Sequence, residues 1–314
     1  GVCGTDHEII AGEHGQAAPG HERLILGHES LGRVEVAPPG SGLAKGDLVV
    51  GIVRHPDPVP CASCAVGEWD MCRNGEYTEH GIRGRNGFGA EWYRLEPGFA
   101  VKVDPSLGAL GVLMEPTSVV AKAWEHSERI GQRAHWEPRT VLVTGAGPIG
   151  LLAGLLGVQR GLEVHIFDRN TSGPKPPLAR ALGAEYHTGS IDNLGFAPDI
   201  VMECTGAPSV VFDVLSGTSR GGVVCLTGVS SSGRRMQVDV GLVNRTLVLE
   251  NDAVFGSVNA NRRHYEAAAK ALGKADRSWL ERLITRRVPL ERWKEAFADD
   301  PHDVKTVIDL ESRS

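Results

Sequence analysis

One thiol, one imidazole and two carboxylates lie in the first part of the chain in contexts that favour metal-dependent chemistry. Cys3 follows Gly1-Val2, His28-Glu29 follows Gly27, and Glu115 precedes Pro116. Thiolate, imidazole and carboxylate groups are the usual ligands of zinc, and a catalytic zinc site keeps one position open. Zinc lowers the pKa of a bound alcohol hydroxyl and stabilises the resulting alkoxide, which is the form of an alcohol that can give up a hydride. Only a fold can gather residues so far apart, and each alone is also compatible with an ordinary buried side chain.

A second group of thiols has the spacing Cys61-x2-Cys64-x7-Cys72. A structural zinc site usually has four ligands in a closed tetrahedral arrangement, and only three cysteines are present here. Asp57 or a water molecule would have to complete the set. The alternative is a lobe that has lost its metal and kept its thiols.

A glycine-rich turn marks a predicted nucleotide site. The apolar run Thr140–Thr144 predicts a strand, and Pro148–Arg160 predicts the helix after it. The turn between them reads G-x-G-x-x-G, which allows a tight turn, close approach to a pyrophosphate and close packing of helix on strand. The helix N-terminus presents free N–H groups to the phosphates. The candidate residues are Gly145, Gly147, Pro148, Ile149 and Gly150.

An acidic residue ends the next predicted strand, Glu163–Phe167. Asp168 at this position can accept hydrogen bonds from the ribose hydroxyls of the cofactor. A carboxylate disfavours a 2′-phosphate, which favours NAD, but Arg169 follows and could hold that phosphate. The sequence therefore predicts NAD or NADP, with NAD preferred.

The pattern of elements changes along the chain. The first third predicts short strands between Gly and Pro turns, at Leu31–Val36, Asp47–Val53, Glu91–Leu95 and Ala100–Val103. The middle third alternates apolar strands with helices, which is typical of a parallel sheet with right-handed crossovers. Its further elements are helices at Leu178–Leu182 and Ser209–Leu215, strands at Asp199–Glu203 and Gly222–Leu226, and a loop over Arg169–Pro177. The last part predicts helices at Asn261–Leu272 and Arg277–Thr285, then Leu290–Ala298 and a strand at Lys305–Leu310.

Composition excludes several classes of partner. The 314 residues suggest two domains, and the net charge of −6 without charged blocks argues against nucleic acid and anionic membranes. No run approaches the ~18 apolar residues of a membrane span, and no signal peptide is visible, so a cytoplasmic protein is expected. Six cysteines in such a chain favour metal binding over disulfides. The chain begins without Met, so we expect that strands preceding Gly1 are missing.

Several of these motifs together resemble the zinc-containing medium-chain dehydrogenases. They are Gly-Val-Cys-Gly-Thr-Asp at the start, Gly-His-Glu, the cysteine lobe, Met-Glu-Pro and Gly-Ala-Gly-Pro-Ile-Gly. Within that family the chain looks most like the glucose 1-dehydrogenase branch, because of residues 75–82 (Gly-Glu-Tyr-Thr-Glu-His-Gly-Ile) and 256–261 (Gly-Ser-Val-Asn-Ala-Asn). The resemblance implies an α/β protein, in which a Rossmann doubly wound parallel sheet is inserted in a GroES-like, mostly-β catalytic domain. The implied boundaries are 1–119 and 259–314 for the catalytic domain and 120–258 for the nucleotide-binding domain.

The resemblance also implies an activity and a catalytic metal. The activity is oxidation of D-glucose, or a similar aldose, at C1 to the lactone, with hydride transfer to NAD(P). The alternative is a zinc-dependent polyol (sorbitol) or threonine dehydrogenase. The implied catalytic zinc lies on Cys3, His28 and either Glu29 or Glu115.

The remaining implied roles concern substrate and cofactor. Thr5 matches a hydroxyl that contacts the sugar and can pass its proton. Further sugar contacts match Glu79, Glu115 and Asn259, and cofactor contacts match Thr227, Gly228, Val229 and Lys305. Arg54 lies where the family's cleft wall begins, with an open role. Pro58 stands where members with a full lobe carry a first cysteine, which puts the structural zinc in question.

Two rival classes and an assembly state complete the expectations. A zinc-free quinone or enoyl reductase would lack Cys3, His28 and Glu115, so their presence argues against that class. A non-enzymatic cofactor-binding scaffold is the other rival. Medium-chain enzymes usually form dimers or tetramers through an edge strand, and Thr246–Phe255 is the candidate for such an edge.

Overall fold

The protein is described by a computed structural model over residues 1–230, 235–298 and 300–310. The chain divides into two compact units. The first contains residues 1–118 together with the described residues from 259 onward, and the second is Val119–Val258.

The amino-terminal part of the first unit consists of short strands and turns. Its helices are α1 (Gly4–Ile10) and α2 (Ala62–Ala65), and 3₁₀ turns lie at Trp69–Met71, Pro97–Phe99 and Pro105–Leu113. Its strands are β1 (Gly32–Arg33), β2 (Leu48–Gly51), β3 (Arg54–His55), β4 (Thr78–His80), β5 (Gly84–Arg85) and β6 (Ala100–Lys102). They form two three-stranded sheets, with the orders β1-β2-β6 and β3-β4-β5. Val34, Val49 and Ala100 form a small core beneath the first of these sheets.

The predicted strand at Glu91–Leu95 is wrong. This stretch has no strand assignment in the structure. The prediction depended on alternating apolar and polar side chains, and Tyr93 is one of the apolar ones. The ring of Tyr93 packs on that of Phe88, with centroids 4.8 Å apart, and also lies against Gly32. The apolar side chain is therefore used for packing, without a β-ladder.

The second unit is the predicted doubly wound sheet, which is confirmed. After α3 (Met114–Gly131), strands and helices alternate: β7 (Thr140–Thr144), α4 (Pro148–Gln159), β8 (Glu163–Phe167), α5 (Lys175–Ala181), β9 (Glu185–His187), β10 (Ile200–Glu203), α6 (Pro208–Val214), β11 (Val223–Leu226), α7 (Val240–Glu250) and β12 (Ala253–Gly256). All six strands are parallel, in the order β12-β11-β10-β7-β8-β9. The central strands are buried, as coverage of both faces requires.

Two predicted segments in this unit differ from the structure. The predicted loop Arg169–Pro177 is shorter, because α5 begins at Lys175 and its two prolines occupy the first turn, where their missing N–H groups cost nothing. The predicted edge Thr246–Phe255 is mostly helix. Its first residues complete α7, Asn251 caps that helix in a left-handed conformation (φ 58°), and only β12 is an edge strand.

The chain then returns to the first unit through two capped helices. Asn261 caps α8 (Arg262–Lys274) and Asp276 caps α9 (Arg277–Leu283). A strand that the sequence pattern did not predict, β13 (Ile284–Pro289), follows and pairs in parallel with β14 (Lys305–Asp309). A 3₁₀ segment at Leu290–Phe297 joins them. Among the described residues, no helix combines the length and apolarity needed to cross a bilayer.

Candidate active site

Cys3 is held by the start of α1. It is the N-cap residue of this helix, and its backbone N–H donates to Asp6 Oδ2 at 2.9 Å, as in a capping box. The short Cys-Gly-Thr-Asp sequence thus folds on itself and fixes the thiol at the helix N-terminus.

The same Asp6 orients His28. Its Oδ1 lies 3.3 Å from Nδ1 of the imidazole, and both side chains are buried. Burial opposes a charge on His28, but the contacts with Asp6 and Cys3 outweigh it and raise the pKa of His28 well above its usual range. An imidazole that binds a metal must give up that proton.

Glu29 forms a buried ion pair with Lys305. Nζ of Lys305 also donates to the carbonyl oxygen of Val2 at 2.9 Å, and despite burial the adjacent carboxylate raises the pKa of Lys305. Gly1 leaves room for this pair, because a Cβ there would lie 2.0 Å from Glu29 Oε2. Lys305, for which a cofactor contact is predicted, pairs in this structure with Glu29 and contacts the segment that carries Cys3.

The structure brings three of the predicted ligands together. One ligand atom from each of Cys3, His28 and Glu29 lies within 4.8 Å of the others. Ligand atoms at the corners of a tetrahedral zinc site are about 3.3–3.7 Å apart, so small adjustments would close this group around an ion. A thiol, an imidazole and a carboxylate also fit zinc by chemistry.

Glu115 is buried in the first turn of α3, outside that group of three. Burial and the neighbouring Glu29 raise the pKa of Glu115 to about 7, against the opposing influence of His28 and Lys305. Glu115 is therefore a second carboxylate that interacts electrostatically with the imidazole of His28 and the ammonium group of Lys305. Of the two acids that the sequence left as alternatives, the geometry favours Glu29 as the ligand.

A second polar cluster surrounds Glu79 on β4. Its Oε1 accepts hydrogen bonds from Arg54 Nε at 3.0 Å and from Asn259 Nδ2 at 2.6 Å, and all three side chains are buried. Arg54 is further held by the carbonyl oxygen of Asp70 and by the face of Tyr77, 3.8 Å from its ring centroid. The structure thus joins two predicted sugar contacts and gives Arg54 a role in positioning Glu79.

The two clusters lie on adjacent segments. Gly27 precedes His28, and Gly81 follows β4 just after Glu79. A Cβ on Gly81 would lie 2.6 Å from the carbonyl oxygen of Gly27, so these backbones touch. Both glycines have positive φ, 93° and 73°, which other residues rarely adopt. Thr5 is half-buried on α1, two residues beyond Cys3.

The cysteine lobe gathers its three thiols. One sulfur from each of Cys61, Cys64 and Cys72 lies within 4.8 Å of the others. The backbone N–H groups of Arg73 and Cys64 lower the pKa of Cys61 to about 6, which favours a thiolate. Asp57 is not in this group. Its two carboxylate oxygens accept hydrogen bonds from the backbone of Val59 and from Asn74, each at 2.8 Å. A metal on the three thiols would take its fourth ligand from elsewhere.

In the second unit, the glycine-rich turn has the geometry that its sequence implies. Gly145 has φ 90°, and a Cβ on Gly150 would lie 1.7 Å from the carbonyl oxygen of Gly145. At Gly147 a Cβ would meet nothing within 4 Å. The first and third glycines are therefore needed by the protein itself, and the second leaves open space in front of the turn. Pro148 and Ile149 begin α4.

Asp168 connects β8 to this turn. Its Oδ2 accepts hydrogen bonds from the backbone of Ala146 at 2.7 Å and from Lys175 Nζ at 3.2 Å. Arg169 is exposed beside it. Lys175 was missed by the sequence reasoning, which placed it in a loop.

Glu203 organises the neighbouring strand ends. Its buried carboxylate accepts hydrogen bonds from Thr144 and from the backbone of Thr205 and Gly206. Its carbonyl oxygen accepts from the backbone of Thr227 and Gly228. Thr227, Gly228 and Val229 thus follow β11 at the carboxyl edge of the sheet, the edge at which ligands bind in open α/β folds.

Two family profiles match almost the whole chain. The profile "Alcohol dehydrogenase GroES-like domain" matches residues 1–105, and "Glucose dehydrogenase C-terminus" matches residues 108–310. This chain belongs to the glucose dehydrogenase family. The predicted family, fold class and enzyme class, a zinc-containing medium-chain dehydrogenase, are confirmed.

Relatives and solved structures agree with this family. Glucose 1-dehydrogenase of Methanocella arvoryzae is 42% identical over 99% of this chain and 89% of its own length. The Thermoproteus tenax glucose 1-dehydrogenase is 40% identical over 99% of this chain and 90% of its own length. The Haloferax mediterranei glucose dehydrogenase, solved in complex with NADP, zinc and gluconolactone, superposes with a TM-score of 0.92 at 33% identity, covering 99% of this chain and 90% of that one.

In this glucose dehydrogenase family member, sequence reasoning missed two side chains that position predicted ones. Asp6 was quoted within the opening motif, but no role was given to it. Its position three residues after Cys3, which is the spacing of a capping box, was the available signal. Lys175 carried no such signal, because its partner Asp168 is reached only through the shape of the turn before α5. The assigned site residues and the domain boundaries remain predictions.

Proposed function

We propose that the chain oxidises the C1 hydroxyl of D-glucose, or of a closely similar aldose, to the lactone with hydride transfer to NAD(P)⁺. The observation that carries this proposal is the contact between two segments of the first unit. One bears the metal-ligand group Cys3, His28 and Glu29, and the other bears the hydrogen-bonded pair Glu79 and Asn259. A site that oxidises a polyhydroxylated substrate needs both a metal group and buried polar groups nearby.

Recognition of the sugar is assigned to Glu79 and Asn259. A buried site that hydrogen-bonds substrate hydroxyls rejects analogues that leave its polar groups unpaired. A glutamate carboxylate only accepts hydrogen bonds, and Arg54 contacts Glu79 Oε1 through Nε and Nη2, each at 3.0 Å. The amide of Asn259 has both a hydrogen-bond donor and an acceptor, so Glu79 and Asn259 together can bind adjacent hydroxyls of the sugar.

Catalysis is assigned to the group at α1. Cys3, His28 and Glu29 would hold a zinc ion there, and that ion would supply Lewis-acid chemistry that lowers the pKa of the C1 hydroxyl. The proton of the C1 hydroxyl leaves through the Thr5 hydroxyl, which accepts it and passes its own proton on, or through a water molecule held by a carboxylate. Asp6 keeps the imidazole ring of His28 in one orientation, and Lys305 does the same for Glu29. The nicotinamide cofactor is assigned to the Gly145–Gly150 turn of the second unit.

We propose that the chain uses NADP as well as NAD. The carboxylate of Asp168, which would repel a 2′-phosphate, is paired with Lys175. Lys175 and the exposed Arg169 then supply positive charge next to that acid, while Asp168 can still accept hydrogen bonds from the ribose in NAD. Use of both cofactors follows.

A homo-oligomer is also proposed, in which a second copy covers the β12 edge. The outer strand exposes Val254, and α7 exposes Leu242, Val248 and Leu249. Adjacent exposed apolar side chains on an edge strand and its helix are typical of a subunit interface. Light scattering on the purified protein would give the mass, and Val254→Lys is expected to reduce it to that of one chain.

A cytoplasmic location is proposed separately, because all six cysteines are free thiols.

A substrate panel tests the proposal. The zinc-loaded protein is assayed with D-glucose, sorbitol and L-threonine, each with NAD⁺ and NADP⁺, by the absorbance of the reduced cofactor. D-Glucose should give the highest kcat/KM. Dominant activity on sorbitol or threonine would replace the substrate assignment. Cys3→Ala and His28→Ala are expected to abolish turnover while cofactor binding persists, and full activity of metal-stripped His28→Ala would refute the metal role.

A further inference from the structure

Two histidines and two glutamates share one face of the outer strands of the parallel sheet. Strand β9 is the edge, and β8 is its neighbour, with His165 opposite Glu185 and Phe167 opposite His187. Side chains two residues apart in a strand point to the same face. Glu163 and His165 on β8 therefore lie on the same side as Glu185 and His187 on β9.

Their ligand atoms converge. His165 Nδ1 lies 2.9 Å from His187 Nε2 and 3.6 Å from Glu185 Oε2. His187 Nε2 lies 3.8 Å from Glu185 Oε1. Two nitrogen ligands of a tetrahedral zinc ion, each about 2.0–2.1 Å from the metal, are about 3.3 Å apart. The three separations scatter around that value, so an ion fits with movements of about half an ångström.

The surroundings fix the imidazoles and leave a path from solvent. The side chains of His165 and His187 are only 5% and 15% exposed, and Phe196 packs over the ring of His165 with centroids 3.9 Å apart. Glu185 is 65% exposed on the open side. Glu163 Oε1 lies 3.4 Å from His165 Nε2, the nitrogen that does not face His187. A carboxylate on the far nitrogen of a histidine is the usual outer partner of a metal-binding imidazole.

We propose that His165 Nδ1, His187 Nε2 and the carboxylate of Glu185 bind a divalent transition-metal ion of the zinc type, with water in the fourth position. Imidazole and carboxylate ligands select zinc, nickel or copper over magnesium and calcium. The ion ties the edge strand β9 to β8. It is separate from both zinc groups of the first unit, because all its ligands lie in the second unit.

A metal ion that joins β8 to β9 would also affect the edge of the sheet to which the nucleotide is assigned. The carbonyl oxygen of His187 accepts the backbone N–H of Asp168, and Tyr186 donates its hydroxyl to the carbonyl oxygen of Asn170. The edge strand therefore supports the segment that carries the proposed ribose-binding acid. This consequence rests on the proposed function, whereas binding of the ion does not.

Metal content tests the site on the full chain. Wild-type protein, Glu185→Gln and His187→Gln are equilibrated at the same buffered micromolar free zinc, and bound zinc per chain is measured by mass spectrometry of the metal. Each variant is expected to hold one zinc fewer than the wild type. The exposed His135→Gln serves as the matched control and should keep the wild-type content. Equal zinc content in wild type and both variants overturns the proposal.

His187→Gln removes a side chain that is only 15% exposed and so could disturb the fold. Glu185→Gln therefore provides the decisive comparison, because the Glu185 side chain is mostly exposed. Replacement of the bound zinc by Cu²⁺, which binds such ligands more tightly, gives a second readout. Nitrogen hyperfine structure from two imidazoles in the electron paramagnetic resonance spectrum is expected for wild type, and its persistence in His187→Gln would also contradict the assignment. If the wild-type protein binds zinc at this site but does not oxidise glucose, the result counts against the proposed function and leaves the metal site supported.

Discussion

Oδ1 of Asp6 lies 3.3 Å from Nδ1 of His28, while Oδ2 of the same carboxylate accepts the backbone N–H of Cys3. One buried acid therefore orients two of the three residues that converge as metal ligands. A carboxylate on the far nitrogen of a metal-binding histidine fixes its tautomer and its ring plane.

Asp6→Asn is expected to weaken zinc binding about 10- to 100-fold. The amide can still accept the N–H of Cys3 through its oxygen, so the helix start should persist, but the amide nitrogen cannot accept from the imidazole. Competition with a coloured zinc chelator measures the affinity. Glu8→Gln, an equal loss of charge on the same helix, is the control and should match the wild type. An unchanged affinity in Asp6→Asn would show that the aspartate only caps α1.

The ligands were visible in the sequence, but the contacts that support them were not. Cys3, His28 and Glu29 stand in short motifs of distinctive residue types, and a metal site limits which residue types can serve. Arg54, Lys175 and the Glu29 partner Lys305 act through contacts between distant segments. Such contacts depend on side-chain direction in the folded chain, which residue spacing does not give.

Asn259→Gly is expected to lower kcat/KM for glucose about tenfold or more with little change in stability. Asn259 has φ 63°, a conformation that glycine adopts freely, so the backbone tolerates the change. The variant removes the amide that is proposed to hydrogen-bond the sugar, and one hydrogen bond contributes about 0.5–1.5 kcal/mol. Glu79 loses its contact with Asn259 but keeps its contacts with Arg54, so it is not left unsatisfied. Steady-state kinetics and the thermal midpoint are measured together. A large fall in the midpoint with normal kinetics would make Asn259 a structural residue only.

The fold was predicted best where burial dictates the pattern. The central strands β7, β8, β10 and β11 were expected within one residue of their observed bounds, because strands buried on both faces are mostly apolar. The short edge elements were missed or misplaced. The segment at 246–255 is apolar enough for a strand, and its assignment to α7 and β12 depends on the left-handed cap at Asn251.

Lys175→Gln is expected to reduce kcat/KM with NADP⁺ by about tenfold or more while changing it little with NAD⁺. The variant removes one cation from the expected 2′-phosphate position and leaves the carboxylate of Asp168 unneutralised, and a charged hydrogen bond contributes about 1.5–3 kcal/mol. Parallel assays with both cofactors measure the ratio. The exposed Lys270→Gln should leave it unchanged. Equal losses with both cofactors would remove Lys175 from cofactor selection.

The buried pair His55 and His80 predicts an acid-sensitive fold. Nδ1 of His80 lies 2.7 Å from the carbonyl oxygen of Asn86 and must donate to it, so its Nε2 accepts from His55 Nε2, 3.2 Å away. Burial, with Arg85 and His80 adding, lowers the pKa of His55 to about 3. The unfolded chain binds this proton near pH 6.5, so the stabilisation is complete above that pH and decreases as the pH falls from about 6.5 to 3.

At pH 5 the loss from His55 is about 2 kcal/mol, at 1.36 kcal/mol per pH unit. Urea unfolding at pH 7 and pH 5 is the measurement. His55→Gln is expected to show a smaller fall in the free energy of unfolding between the two pH values, whatever its stability at pH 7. His14→Gln, an exposed histidine, should keep the wild-type fall. A wild-type fall in His55→Gln would assign the acid sensitivity to other groups.

The glycine-rich turn separates a structural requirement from a ligand requirement. Gly147→Ala adds a methyl group where the structure has nothing within 4 Å, at φ −78°, so the protein should fold with an unchanged thermal midpoint. That methyl would stand between the turn and a pyrophosphate, so the dissociation constant for the cofactor should rise at least about tenfold. Gly150→Ala places a Cβ 1.7 Å from the carbonyl oxygen of Gly145, so its midpoint should fall even without cofactor. Calorimetry gives the midpoints, and fluorescence of bound reduced cofactor gives the affinities. Wild-type affinity in a folded Gly147→Ala protein would mean that the cofactor phosphates do not lie against this turn.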